Sequence, residues 1–402
     1  MAPPPVRHSS DTGKFSGFTV QPIGRRRFIV AVGGLAAAAT LAPHLAWANK
    51  ASQLRMAPSQ LQPWTLPDDP PASILEQARA LIGAAVLAPS EWNTQPWRFE
   101  VEHASVRMLT DPTRLLPRTD PDSRGLMISL GAALENLLIA ARAYGLRPTV
   151  EYFPRGGANG VVAEVIWASG DVRRDRALFA AIPARRTNRR EYDGRGIFPE
   201  QRAQLVAQVP EGLSLHWMDA RAGIRDVAKL AHDAVHDQTS HDKTAAEQFA
   251  WMRFGDDPRR RGDGVPVDNL ELGPVTSWMA KRYFNPRSWF SRFGPEHAAH
   301  DTREGLRSAG ALVLLCAPKR EQVQWLMGGQ AWERFALQAS ALGLALQPVS
   351  APIELERYRR PLLHAFDATG EEPLMLARLG HAKNPAATTR RSVALVATFR
   401  NT

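Results

Sequence analysis

The sequence predicts a chain of mixed helix and strand, built as two related halves that fold against each other like a covalent dimer. One observation carries the duplication. Gly131-Ala132-Ala133-Leu134-Glu135-Asn136-Leu137, running on to Ala141, Ala143, Gly145 and Leu146, recurs 198 residues later as Gly329-Gln330-Ala331-Trp332-Glu333-Arg334-Phe335, running on to Ala339, Ala341, Gly343 and Leu344, with seven of sixteen positions identical. Each copy reads as an alanine-rich helix stopped by a C-terminal glycine and followed by a strand-like run. A second observation supplies the sheet: Thr149 to Phe153 and Val161 to Trp167 are β-type runs on either side of Arg155-Gly156-Gly157-Ala158-Asn159-Gly160, the pattern of a hairpin with a glycine-rich turn. Third, the chain has 402 residues, 44% hydrophobic and 22% charged, with one cysteine, Cys316, so collagen, coiled coil, wholesale disorder, a disulfide framework and a cysteine-rich zinc site are excluded.

Taken in order, residues 1–48 read as an address. Gly24-Arg25-Arg26-Arg27-Phe28-Ile29 sets twin arginines before a mildly apolar run, and Ala46-Trp47-Ala48 offers small residues to a signal peptidase. A twin-arginine leader cleaved after Ala48 predicts a periplasmic or otherwise exported protein that engages the twin-arginine export machinery, which carries folded clients. The other reading is an uncleaved anchoring helix. No later stretch approaches 18 apolar residues, which predicts a soluble mature chain. Residues 49–71, with Pro58, Pro63, Pro67, Pro70 and Pro71, form a linker. Ser73 is an N-cap for a helix with Ile74, Leu75, Ala78, Leu81, Ile82 and Ala85 on its apolar face. The first half then covers 72–170 and the second 171–402, with a lid-like insertion around 240–300 that fits the repeat least well.

The net charge of +10 suggests polyanion binding only until the leader is set aside; the remainder carries about +6. No basic helix, aromatic strand platform or zinc module accompanies that charge, so no nucleic-acid partner is predicted. His232 and His236 stand at i, i+4 and fit either a metal site or the polar face of a helix; the polar face is the assignment made, with no metal.

Two segments carry chemistry. Ala88-Pro89-Ser90-Glu91-Trp92-Asn93-Thr94-Gln95-Pro96-Trp97-Arg98-Phe99 leaves a helix, crosses a polar loop and enters a strand. Its hydroxyl and amides suit a planar heterocycle, and equally a capped turn over a buried tryptophan. Ala184-Arg185-Arg186-Thr187-Asn188-Arg189-Arg190-Glu191-Tyr192 is either a solvated basic loop or a phosphate site, since planar guanidinium groups with a hydroxyl neutralise a phosphate monoester.

The first of these segments closely resembles the flavin-binding loop of the nitroreductase superfamily, and the second is similar to that family's opening arginine segment before a Pro-Glu helix start, here Pro199-Glu200. The resemblance, closest to the Acg-like branch, implies an α+β nitroreductase-like fold that binds FMN, with its two halves forming an intramolecular pseudo-dimer. It assigns the cofactor to Pro89, Ser90, Asn93 and Gln95 from the first half and to Arg185, Arg186, Thr187 and Arg189 from the second. The order departs from ordinary members, where the arginines come first; duplication with loss of one copy of each element accounts for it and leaves one site. By position, the resemblance adds Val349 and Ser350 beneath the isoalloxazine, Gly380 at the end of a late strand, and Arg390 and Arg391 near the phosphate, the last two also readable as a solvated tail. It implies a flavoprotein oxidoreductase that reduces a small-molecule electron acceptor, a nitroaromatic or quinone, without a catalytic side chain. The family's usual donor is NAD(P)H, which fits a cytoplasmic protein; for an exported one the donor is unknown. The competing expectations are a flavin-sequestering or storage protein with little turnover and a cofactor-free pseudoenzyme.

Overall fold

The computed structural model describes residues 64–170, 175–254, 262–271, 278 and 294–400. The leader, the first part of the linker and much of the 240–300 insertion lie outside the described residues.

The first helix, α1 (Ile74–Ala85), begins where the sequence places it: the Ser73 hydroxyl accepts from the Glu76 amide at 3.2 Å, satisfying one of the free donors of the first turn. Strands β1 (Trp97–Glu102) and β2 (Ser105–Thr110) follow, then helix α2 (Arg124–Ala143), and then the predicted hairpin of β3 (Leu146–Tyr152) and β4 (Val161–Ser169), whose turn places Gly156, Gly157 and Gly160 at positive φ. After β5 (Ser214–Met218) come α3 (Arg221–Ser240), α4 (Asp242–Ala250), α5 (Gly294–Arg307), β6 (Ala311–Ala317), α6 (Gln322–Ala341), β7 (Ala345–Pro348), β8 (Glu372–Gly380) and β9 (Ala397–Phe399).

The strands form two main sheets, ordered β9-β1-β2-β4-β3 and β5-β6-β8-β7, so the fold is α+β. In β6, Val313, Leu315 and Ala317 enter one hydrophobic core while Leu312, Leu314 and Cys316 enter a second. That alternation is what a strand covered by helices on both faces requires. The first sheet is covered on one face by Phe99, Val101, Val106, Met108, Ala163 and Val165, while Ile166 on its other face is exposed.

The two repeat helices, α2 and α6, pack directly on each other, and their contact is reciprocal. A Cβ on Gly131 would lie 2.0 Å from the Leu326 carbonyl oxygen, and one on Gly329 would lie 2.2 Å from the Ile128 carbonyl oxygen. Each partner is the other's equivalent at the 198-residue offset, the pattern of an isologous contact. Both helices end as predicted on glycines at positive φ, Gly145 at 73° and Gly343 at 70°. Helix α2 is a correction to the hydropathy reading: at 20 residues it is long and apolar enough to cross a membrane, yet 89% of its most apolar window is buried in the protein, which makes it a core helix.

One crossing ties the halves together. Strand β9 pairs parallel with β1, Phe99 opposite Ala397 and Val101 opposite Phe399, so the end of the second half by sequence lies in the first sheet. The chain must pass over the loop after α1 to get there, carrying Arg390 and Arg391 with it.

Candidate functional site

The loop between α1 and β1 is held in a costly backbone shape. Trp92, Asn93 and Gln95 all have φ near +50°, a region in which asparagine is tolerated and a bulky residue such as tryptophan is an outlier. Hydrogen bonds over-determine it: the Gln95 amide donates to the Ser90 hydroxyl at 2.9 Å, and Gln95 Oε1 accepts from the Arg391 amide at 2.8 Å. Asn93 Nδ2 donates to the carbonyls of Gly264 (2.7 Å) and Thr389 (3.1 Å), while its Oδ1 accepts from Arg390 at 2.9 Å. Gln95 Nε2 donates to the Gly262 carbonyl at 2.7 Å. Both side-chain amides are therefore spent within the protein itself.

Across a cavity of about 80 Å³ stand the arginines. Its walls include Pro89, Ser90 and Asn93 from the first half and Arg185, Arg186, Thr187, Arg189 and Arg390 from the second, so two motifs ninety-odd residues apart in the chain share one space. Gln95, Val349, Ser350, Gly380 and Arg391 do not line it. Gln95 and Arg391 brace the loop from behind. Val349 donates its amide to Leu376 and packs into the second core, Ser350 precedes the short helix Ala351–Glu354, and Gly380 lets β8 pass Tyr192, whose ring a Cβ there would meet at 2.6 Å.

Sequence reasoning missed Trp64, Trp92, Val265, Asn269, Ala386 and Thr388, which complete the lining. Trp64, in the segment read as linker, lies under two guanidinium groups, with Arg186 at 4.4 Å and Arg390 at 5.2 Å from its ring centroid. Asn269 accepts from the Thr388 hydroxyl at 2.6 Å and donates to the Ala386 carbonyl at 3.1 Å, and its own carbonyl accepts from Arg189. The 262–271 stretch of the predicted insertion thus lies directly on the site. Its short parallel pair, Met252–Arg253 with Val265–Pro266, is pinned by Asp263, which pairs with Arg253 at 2.7 Å and Arg114 at 2.9 Å.

The electrostatics are those of a cation cluster short of anions. Burial, reinforced by the charges of Arg185 and Arg186, pulls Arg390 down to about 9; burial and Arg185 pull Arg186 down to about 10. Burial also lowers Arg185 and Arg189. The counter-charge at the core side is Glu333, whose carboxylate lies 3.6 Å from Arg185 Nε and is itself pushed up to about 7, chiefly by burial. Arg390 Nε is buried with no hydrogen-bond partner among the described residues. A doubly charged oxyanion in the cavity would satisfy that donor and relieve the mutual repulsion.

The His232 and His236 pair lies on α3 facing Glu296 of α5, with Nε2 to carboxylate distances of 3.6 and 3.9 Å.

No family model matches the chain. Among curated proteins, it is 28% identical over 310 residues to a Mycobacterium tuberculosis H37Rv protein provisionally named NAD(P)H nitroreductase Rv3131, covering 76% of this chain and 86% of that one. It is 26% identical over 327 residues to the same organism's protein provisionally named NAD(P)H nitroreductase acg, covering 78% and 93%. A solved nitroreductase-named structure from Anabaena variabilis aligns with a TM-score of 0.38 at 11% identity over 69% of each chain. Over three quarters of its length the chain is thus similar to proteins carrying nitroreductase names, in agreement with the resemblance of its loop and arginine motifs to the nitroreductase superfamily.

Proposed function

We propose that the protein is an FMN-dependent oxidoreductase of nitroreductase type that reduces a small electrophile, a nitroaromatic or a quinone, with electrons from a reduced nicotinamide. The observation that carries this reading is the meeting in one cavity of Ser90 and Asn93 with Arg185, Arg186, Thr187, Arg189 and Arg390, a set short of one buried anion. The nitroreductase names of the sequence relatives support it. When bound, FMN supplies the hydride and electron chemistry.

The phosphate end of FMN fits the residues present. Arg186 and Arg390 would neutralise the phosphate, the Thr187 hydroxyl would donate to it, and Trp64 would shield the charges from water. The ring end does not fit in this conformation: about 80 Å³ is well below the ~300–1,000 Å³ of ordinary ligand pockets, and the Gly262 and Gly264 carbonyls hold the amides of Gln95 and Asn93. Seating the isoalloxazine requires the 262–271 segment to withdraw. The same contact favours a second reading, a flavin-sequestering protein with little turnover, because the segment that would cover the ring also excludes donors. The reciprocal crossing of α2 and α6 supports the division into fused halves at 72–170 and 171–402, a pseudo-dimer with one working site. Export rests on the Arg25-Arg26 leader alone and is the alternative setting: there a donor other than a nicotinamide would have to reduce the flavin.

Protein purified after FMN supplementation should show a flavin absorbance spectrum that Arg186→Ala and Asn93→Ala both lose. Bleaching of that spectrum by NADH or NADPH, followed by reoxidation with a quinone, supports the enzyme; a bound flavin that no donor bleaches supports sequestration. Protein that stays colourless after reconstitution removes both readings.

A further inference from the structure

On the far side of the second sheet from the cavity, three ligand types from chain-distant positions converge. His216 stands on the edge strand β5, Cys316 on the central strand β6 and Glu371 immediately before β8. The register explains the meeting: Ser214 is paired with Cys316, His216 lies two residues further along the same face, and Glu372 pairs with Ala317, bringing Glu371 to the same end of the sheet. One ligand atom from each of the three, an imidazole nitrogen, the thiol sulfur and a carboxylate oxygen, lies within 4.8 Å of the other two. His216 Nε2 and Glu371 Oε1 are 2.9 Å apart, and the second carboxylate oxygen accepts from the Ser214 hydroxyl.

We propose that His216, Cys316 and Glu371 form a binding site for a thiophilic divalent cation of the zinc type, with a fourth position open to water. The donor set selects the metal. A thiolate and an imidazole suit zinc and cobalt and are wrong for magnesium or calcium, which take oxygen. Tetrahedral coordination at ordinary zinc distances puts ligand atoms roughly 3.3–3.6 Å apart, so the histidine and carboxylate separate by about half an ångström and the sulfur closes by somewhat over one ångström at most. The Ser214 hydroxyl holds the carboxylate from behind, as outer partners of metal ligands do. His216 and Glu371 are half-buried, which leaves an entry path, while Cys316 forms the floor at 0% exposure.

Burial raises the Cys316 thiol, and the Glu371 and Glu372 carboxylates raise it further. These neighbours disfavour a free thiolate nucleophile and favour a cation at the same point. Binding replaces the S–H proton by the metal and releases it to solvent, with no change of oxidation state. The bound ion would staple β5, an edge strand with no residue fully buried, to β6 and to the start of β8.

The test is a Co²⁺ titration of the full chain, stripped with chelator and free of flavin so that the spectral window is clear. One equivalent of Co²⁺ should produce a thiolate-to-metal charge-transfer band and the intense visible bands of tetrahedral cobalt, both displaced by Zn²⁺. Cys316→Ser should abolish the charge-transfer band, and His216→Gln and Glu371→Gln should each weaken binding at least tenfold. Replacing His232 and His236 together by Gln should change neither. Because a buried-cysteine variant can fail to fold, the same comparison is made by the rise in Tm that Zn²⁺ gives the unaltered protein and should not give His216→Gln. Absence of stoichiometric binding, binding without the charge-transfer band, or a Zn²⁺-induced Tm rise that survives in His216→Gln overturns the proposal. Flavin content bears on none of these readouts.

Discussion

Replacing Arg390 by methionine should make the ligand-free protein more stable and at the same time abolish its response to phosphate. Lowering that guanidinium from its ordinary 12.5 to about 9 corresponds to roughly 5 kcal/mol held against the charged form. The sign follows from linkage. Below pH 9 the group is charged both folded and unfolded, so the full penalty is present at pH 7; it lifts as the pH rises through 9 and the folded form sheds its proton. Methionine fills similar volume without the charge, and it forfeits the hydrogen bonds to Asn93 Oδ1 and the Thr389 carbonyl. Leaving the buried Asn93 oxygen unpaired costs about 1–3 kcal/mol, so the net gain is about 2–4 kcal/mol. Urea unfolding at pH 7 measures it, with and without millimolar inorganic phosphate at low ionic strength. The unaltered protein should gain stability with phosphate and the variant should not. A variant that is less stable without phosphate, yet still stabilised by it, would refute the view that this cluster is held in readiness for an anion.

Three further outcomes follow from the same geometry. Glu333, raised from 4.5 to about 7, holds its proton in the folded state over a range where the unfolded chain has lost it, so its contribution to stability is greatest at acid pH and falls by about 3 kcal/mol as the pH rises from about 4.5 to about 7; the urea midpoint of Glu333→Gln, followed across that range and up to pH 8, should lack that decline. Gly131→Ala and Gly329→Ala should each cost about 1–3 kcal/mol, in near-equal amounts, and the double variant should cost less than their sum because one separation of α2 from α6 relieves both clashes; additive losses in denaturant titrations would contradict a shared crossing point. Trp64→Ala removes the ring beneath Arg186 and Arg390, worth about 1–2 kcal/mol, and should weaken FMN binding about 5–30-fold in a fluorescence titration while secondary structure is unchanged; an unaltered affinity would make the tryptophan mere packing.

What the sequence made legible was local chemistry. Ser73, Gly145 and Gly343 declare helix ends because a cap or a positive φ is a property of a few adjacent residues. The Ser90–Asn93 loop and the Arg185–Arg189 run could be read for the same reason, since each concentrates one kind of donor. Contacts created by the tertiary path could not. Trp64 sits among prolines with no periodicity to mark it, and β9 is three residues long, too short for an alternation to show. The role of Gly131 and Gly329 was half visible: their repetition could be seen, but the carbonyl each one admits belongs to the other helix. Val349, Ser350 and Gly380 were placed by analogy of position alone, and the chain uses them for packing, a turn and the approach to Tyr192.

The return of the C-terminus to the first sheet sets a timetable for the molecule. The wall of the cavity includes Arg390, and the strand that anchors that arginine, Ala397–Phe399, pairs with residues laid down some three hundred positions earlier. During synthesis the early loop must therefore wait, with Trp92, Asn93 and Gln95 lacking the partners that hold their backbone in shape, until almost the whole chain has been made. An anion captured by the arginines would be among the last components to arrive. A truncation that removes Ala397–Phe399 would leave a protein with its cores largely intact and its binding site never assembled.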